Sequence, residues 1–485
     1  MGEEALKKQV LSSVFWRFGE RICAQLVTFI VSIILARILE PSHYGVVSLL
    51  TIFITIANVF VTDGFGKALI QKKDVDNSDY STVFFFNILF SWLVYFIIFL
   101  SAKFVADFYH NDILTPVLRV LALRIPLAGI NSVQQAYVSR HMMFKKFFLA
   151  TLIGTLISAV VGIAMALYGF GVWALVAQYL TNSLIDTLML WFTIKWRPQK
   201  VFHLKRLFYL LSYGWKILLT SLINTAYENL RSLVIGKFYS NEDLAYYTKG
   251  TSYPVLIINN VNTVISSVLF PALSKLQDDK KRLKQGMRRS ITVSTFLIFP
   301  LMMGLAAIST NLVKVMLTDK WLFCVPYLKI ACIYLSLYPI NIANLQAIMA
   351  VGRSDIYLKL NFIKKAIGLI LLFASIPFGV TVIVSSEIIV ALLAVITNVR
   401  TNRKIMKYSF GELIQDIGKN LVLSLLMFAV ITVFDRLISI YIESLIICIV
   451  IEIILGGFIY LSLAKLFKSE ELHYIMSTII KQKKS

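Results

Sequence analysis

The sequence predicts an all-α, polytopic membrane protein with about fourteen transmembrane helices. Three observations lead there. Hydrophobic residues fill 58% of the 485 positions and charged residues only 15%, with a mean hydropathy of +0.76. That leaves too little polar surface to clothe a water-soluble protein of this length. Apolar runs of about eighteen residues or more recur from end to end, each able to cross a hydrocarbon core of roughly 30 Å. Finally, the basic residues crowd into alternate gaps between those runs, as the positive-inside rule requires.

In chain order the runs lie near 22–39, 44–66, 81–102, 115–139, 147–168, 171–194, 209–233, 245–270, 290–311, 322–350, 357–378, 379–399, 417–437 and 441–464. Residues 3–18 precede them and read as an amphipathic helix lying on the inner surface, without the small-residue cleavage site of a signal peptide. With the N-terminus inside, 34 of the 48 basic residues fall in cytoplasmic segments. Seven fall in outer loops: Arg37, Lys103, Lys237, Lys249, Lys314, Lys320 and Arg436. The net charge of +22 is therefore a topology signal and not a nucleic-acid footprint, and it places both termini in the cytoplasm. Cys23, Cys324, Cys332 and Cys448 all sit within apolar runs, so no disulfide framework is expected.

An internal repeat organises the chain. Pro126, Asn131 and Arg140 of the fourth run recur as Pro339, Asn344 and Arg353 of the tenth, with both spacings preserved. Trp16-Arg17 at the first run parallels Trp215-Lys216 at the seventh, and the uncharged turn at 168–172 recurs at 377–380. The expected organisation is an N-lobe (1–200, helices 1–6), a C-lobe (201–410, helices 7–12), helices 13 and 14 (411–467) and a basic cytoplasmic tail (468–485). An even number of helices per lobe gives both lobes the same orientation, the parallel-repeat arrangement of secondary transporters.

Charge inside a bilayer costs roughly 2.5–3.5 kcal/mol per residue on insertion scales, so such residues face a wet cavity or a partner. Arg17 and Arg21 are four apart and share a face, with Glu20 beside them. Arg124 aligns with Asn131 and Gln135 in a polar stripe, whereas Arg119, five residues earlier, cannot share its face and reads as reaching outward. Lys216 and Arg231 lie on one side of the seventh helix, where Glu228 is placed to pair with Arg231. The candidate cationic cavity is thus Arg17, Arg21, Arg124, Lys216 and Arg231, with Glu20, Asn131, Gln135 and Glu228 as its polar complement. Snorkelling to the interface is the structural alternative for Arg17 and Arg21. Asp63 and Asp186 are the candidate ion-coupling acids; Glu387 is a further buried acid, and Glu452 has no assigned role.

Neither a G-x-x-x-x-G-K-[ST] phosphate loop nor an H-E-x-x-H zinc signature occurs, and all five histidines fall in loops or tails. The expectation is a transporter and not an enzyme, with no cofactor and no metal site, and with H+ or Na+ as the candidate coupling ion.

Several motifs identify a family. They are V-F-W-R-F-G-E at 14–20, the segment from Arg37 to Gly45 (R-I-L-E-P-S-H-Y-G), and Asp63-Gly64-Phe65-Gly66 ahead of Ala68. Tyr137-Val-Ser-Arg140 and Gly169-Phe-Gly-Val-Trp-Ala174 follow. Together they resemble the Wzx-type flippases, the polysaccharide transporter family of the multidrug/oligosaccharidyl-lipid/polysaccharide exporter superfamily. The resemblance implies a fold shared with multidrug exporters and lipid II flippases, two lobes around a cationic cavity, and alternating access. It further implies a polyprenyl-diphosphate-linked oligosaccharide as substrate (an O-antigen, capsule, exopolysaccharide or teichuronic-type repeat unit), moved from the inner to the outer leaflet of a bacterial cytoplasmic membrane. Polysaccharide polymerase or assembly proteins are the implied partners. Lipid II flippases draw cavity arginines from helices 1, 2 and 8; here the cores of helices 2 and 8 offer none, which favours a saccharide lipid other than the peptidoglycan precursor. Two alternatives stay open, a cation-coupled multidrug exporter of the same fold and a non-transporting scaffold of a polysaccharide assembly complex. The basic excess across helices 1, 4 and 7 weighs against a pump for cationic drugs.

Overall fold

The computed structural model describes residues 3–438 and 442–473, the side chains of residues 3–15, 17, 18, 20, 21, 64, 213 and 262–268 excepted. Its helices are α1 (Glu3–Ile38), α2 (Pro41–Gln71), α3 (Asn77–Tyr109), α4 (Leu114–Leu121), α5 (Arg124–Arg140), α6 (Phe144–Leu167), α7 (Val172–Thr193) and α8 (Leu204–Phe238). They continue as α9 (Asn241–Ser274), α10 (Lys280–Leu317), α11 (Val325–Ser336), α12 (Tyr338–Ala350), α13 (Ser354–Ser375), α14 (Val380–Met406), α15 (Phe410–Ile438) and α16 (Leu445–Leu466). No strand occurs among the described residues. In hydrocarbon every backbone N–H and C=O must be satisfied within its own segment, and a helix does this where an open strand does not. Among the described residues, ten helical stretches are long and apolar enough to cross a membrane by length and composition. The chain is a multi-pass membrane protein, and the helix order is compatible with about fourteen crossings.

Two of the crossing stretches, Leu114–Arg140 and Asp319–Ala350, pass part-way from one α-helix to another. Proline accounts for both breaks. Pro126 has no N–H for the carbonyl of Ala122 and crowds it, so α4 stops at Leu121 and α5 begins at Arg124. Pro339 does the same four residues after Leu335, where α11 gives way to α12. The matching turns behave alike as well. Gly171 (φ +55°) and Gly379 (φ +96°) each stand immediately before a helix in a left-handed conformation that a side chain would strain.

Contacts divide the chain into two compact units, Met1–Ala245 and Tyr246–Ser485. In the first, α6 packs on α7 and α1, while α2 packs on α5 and α8, and α5 also meets α3 and α7. Close approach is achieved with small residues. A Cβ on Gly129 of α5 would lie 2.3 Å from Ser91 Oγ of α3, and one on Gly45 of α2 would lie 1.9 Å from the backbone oxygen of Asn241. An aromatic cluster of Tyr80, Phe84, Tyr137 and Trp196 closes one end of this unit. In the second unit α10 is the central post, packed by α11, α12, α15 and α16, with α14 against α11, α12 and α13.

The basic segments do more than set topology. Arg140 donates from Nη1 to the carbonyls of Leu69, Ile70 and Lys72 and from Nη2 to that of Lys73, closing the C-terminal end of α2. Asp79 caps α3 in a reciprocal box with Asp76 and binds Lys72 at 2.5 Å and Arg206 at 3.4 Å, tying α2, α3 and α8 together. The Arg206 guanidinium, hydrogen-bonded to Asp76, holds the Asp76 carboxyl below the usual carboxylate range. In the second unit Arg288 forks onto Asp416 at 2.6–3.0 Å, and Lys284 reaches Glu412 at 2.6 Å, fastening α15 to α10.

Candidate functional site

The first unit encloses a polar cavity of about 170 Å³ between α2, α5 and α7. Three helical spacings build it. Arg124, Asn131 and Gln135 share one face of α5, Asn182, Ser183, Asp186 and Thr187 share one face of α7, and Asn58 and Thr62 stand one turn apart on α2. The proline break places Arg124 on the first turn of α5, so its guanidinium enters the cavity from an interrupted helix and not from the middle of a continuous one. There Arg124 Nε donates to Ser183 Oγ at 3.1 Å, and the guanidinium lies 5.1 Å from the centre of the Tyr179 ring.

Asp186 faces the same space. A Cβ on Gly154 of α6 would stand 2.1 Å from Asp186 Oδ1, so the bare backbone of α6 is what lets the carboxylate settle against it. Thr62 and Thr187 turn their hydroxyls back to the carbonyls of Asn58 and Ser183. The Oδ1 atoms of Asn58 and Asn131 are buried with no hydrogen-bond partner among the described residues. A guanidinium, a carboxylate and two open amide oxygens therefore meet in one space. The first suits an anion and the others a small cation.

The sequence candidates separate on this geometry. Arg124, Asn131, Gln135 and Asp186 all line the cavity. Asp63 does not join them: it pairs with Lys67 at 2.7 Å on its own helix, and Lys67 lies 3.5 Å from Ser221 of α8. Lys216 and Glu228 are exposed on α8 and Arg231 is half-buried, and none of the three lines the cavity. The side chains of Arg17, Glu20 and Arg21 lie outside the described residues, as do residues 474–485 of the basic tail. Arg119 is held at α3, donating to the Phe99 carbonyl at 3.2 Å and lying over the Phe99 ring.

Residues that sequence reasoning passed over complete the picture. Asn58, Thr62, Asn182, Ser183 and Thr187 are neutral, so a search for intramembrane charge skips them; their one-turn spacing was the available signal. In the second unit Asn398 Nδ2 donates to Asn341 Oδ1 at 2.9 Å and Asn402 Nδ2 to Asn344 Oδ1 at 2.7 Å, forming an amide ladder between α12 and α14. Beside it Asn341, Asn361, Lys364, Thr397 and Asn398 line a small polar recess. Asn344, the repeat partner of Asn131, is thus consumed in helix packing. The repeat position of Arg124 is Leu337, so the second unit carries no equivalent guanidinium.

Comparison with known proteins bears on this geometry. The family described as "Polysaccharide biosynthesis protein" matches residues 34–326, more than half of the chain. The chain belongs to that family. Among curated relatives, the teichuronic acid biosynthesis protein TuaB of Bacillus subtilis (strain 168) is 23% identical over 73% of each chain. The lipopolysaccharide biosynthesis protein WzxC of Escherichia coli (strain K12) is 24% identical over 74% of each. Of solved structures, the lipid II flippase MurJ superposes with a TM-score of 0.75 at 16% identity, covering 94% of this chain and 98% of its own. The fold is therefore MurJ-like. The matched segment contains every residue of the α2–α5–α7 cavity.

Proposed function

We propose that this family member is a flippase that moves a polyprenyl-diphosphate-linked oligosaccharide from the inner to the outer leaflet of the cytoplasmic membrane by alternating access. The observation that carries the reading is Arg124, a guanidinium held in a polar cavity within membrane-crossing helices. A charged side chain in a membrane-crossing stretch is costly unless it faces a cavity or a partner, and a diphosphate is an anion that a guanidinium binds in a fork geometry. The names borne by TuaB, WzxC and MurJ, each tied to an envelope polymer or its lipid-linked precursor, support the substrate class. Arg17, Arg21, Lys216 and Arg231 are proposed to extend the cationic path, in two six-helix lobes with both termini cytoplasmic. Polymerase or assembly proteins would receive the product.

Asp186 favours a second element. With the open oxygens of Asn58 and Asn131 beside it, it is the proposed site for a coupling H+ or Na+. Arg124 and the coupling ion would then answer to each other electrostatically in one cavity.

The test is translocation of a fluorescent diphosphate-linked oligosaccharide lipid in proteoliposomes, comparing wild type with Arg124→Gln and Asp186→Asn. One charge-assisted contact to phosphate is worth about 1.5–3 kcal/mol, so Arg124→Gln should slow flipping by roughly 10- to 100-fold. Asp186→Asn should remove the dependence on the ion gradient. A wild type that leaves this lipid in place yet extrudes organic cations would establish the drug-exporter reading instead. A wild type that moves neither would make the chain a scaffold.

A further inference from the structure

Two acids outside the cavity have no role in the reading above. Glu452, on α16, is completely buried, and Asp435 lies in the last turn of α15. The two carboxyls converge on a single amide nitrogen, that of Asn311. Across the seam Asn311 of α10 donates from Nδ2 to Asp435 Oδ1 at 2.6 Å and stands 3.5 Å from Glu452 Oε1. The other oxygen, Glu452 Oε2, is buried with no hydrogen-bond partner among the described residues. Around the trio the wall is apolar: Ile308, Leu312, Ile431 and Ile449 belong to one packed cluster of α10, α15 and α16.

On α16 the Cys448 thiol stands one turn before Glu452 and donates to the Ile442 carbonyl. On α15 Arg436 follows Asp435 directly, about 100° around the helix, and is exposed. On α10 Lys314 stands one turn beyond Asn311 and is half-exposed. Neither cation forms an ion pair with Asp435 or Glu452 among the described residues.

Two carboxylates this close in an apolar seam cannot both remain ionised, since each charge disfavours the other and burial disfavours both. One proton between them removes the repulsion and supplies an O–H donor where two acceptors would otherwise meet. The Asn311 amide points its N–H into the pair, which suits a shared proton better than a metal cation, for which its oxygen would have to turn inward. We propose that Asp435 and Glu452 form a one-proton carboxyl dyad, a protonation site in the α10–α15–α16 seam. Asp435, half-buried near the helix end, exchanges the proton with water; Glu452, further in, keeps it. Release leaves two negative charges in the seam and loosens α16 from α10 and α15; uptake restores the contact.

Infrared difference spectroscopy of the purified full-length protein in lipid bilayers, titrated in potassium buffers, tests this directly. Wild type should show a protonated-carboxyl C=O band at pH 7 that disappears as the pH is raised and shifts in D2O. Glu452→Gln should abolish that band. Asp435→Asn, which removes the repelling charge, should shift its loss to lower pH. A wild-type spectrum without the band at pH 7, or a band of the same intensity in Glu452→Gln, overturns the proposal. Should Glu452→Gln fail to fold, the wild-type and Asp435→Asn titrations still decide it. The measurement reads the carboxyl itself, so it stands or falls independently of whether the protein moves a lipid-linked saccharide.

Discussion

Replacing Arg140 by alanine should detach the end of α2 from α5. The four carbonyls that Arg140 holds, on Leu69, Ile70, Lys72 and Lys73, belong to the terminal turn of α2 and the residues just after it, where the helix itself leaves carbonyl oxygens without donors. A cation there also complements the negative end of the helix dipole. Hydrogen bonds to a charged group contribute about 1.5–3 kcal/mol each, but four bonds from one guanidinium are not independent. Two of the acceptors lie at exposed positions that water can re-solvate. A net loss of about 2–4 kcal/mol is the expected cost, several degrees in Tm for a unit of this size. Thermal unfolding of the purified protein in detergent measures it, with hydrogen exchange of residues 68–73 as the local readout. Arg140→Lys keeps the charge but loses the fork, so the order should be wild type, then lysine, then alanine. An alanine variant within about 0.5 kcal/mol of wild type, or a lysine variant less stable than alanine, would refute the capping role.

Other perturbations separate packing from function. Gly45→Ala puts a methyl 1.9 Å from a backbone oxygen of Asn241, which no rotamer change relieves; a loss of about 3 kcal/mol or more should appear in the same unfolding assay. Gly154→Ala instead meets the mobile end of Asp186, so Tm should hardly move while the ion dependence of transport falls. An equal loss of both would place Asp186 in packing alone. For Asp76 the folded-state pKa is lowered by Arg206, so its contribution is present above the ordinary Asp range (about 3.9) and fades as pH drops through the lowered value. The stability gap between wild type and Asp76→Asn should therefore be constant near neutrality and close below about pH 4. A gap that does not narrow at all as the pH falls below about 4 would mean the pairing with Arg206 is not its source.

The all-helical membrane class was legible because it rests on local quantities. A run of apolar residues long enough to span lipid must be a helix, whatever its neighbours are. The broken stretches were marked by Pro126 and Pro339, since a missing N–H acts four residues away on the same chain. Even the α5 face of the cavity could be read, because Arg124, Asn131 and Gln135 recur at helical spacing. What opposes that face could not. Asp63 and Asp186 look alike in sequence, yet Asp63 is occupied by Lys67 one turn away and only Asp186 meets the cavity. Arg140 and Arg353 occupy equivalent repeat positions, yet one closes α2 while the other pairs with its near neighbour Asp355. Asp435, Glu452 and Asn311 lie on three helices and share no motif. Periodicity assigns a residue to a side of its own helix; which helix stands across from that side is decided only when the bundle packs.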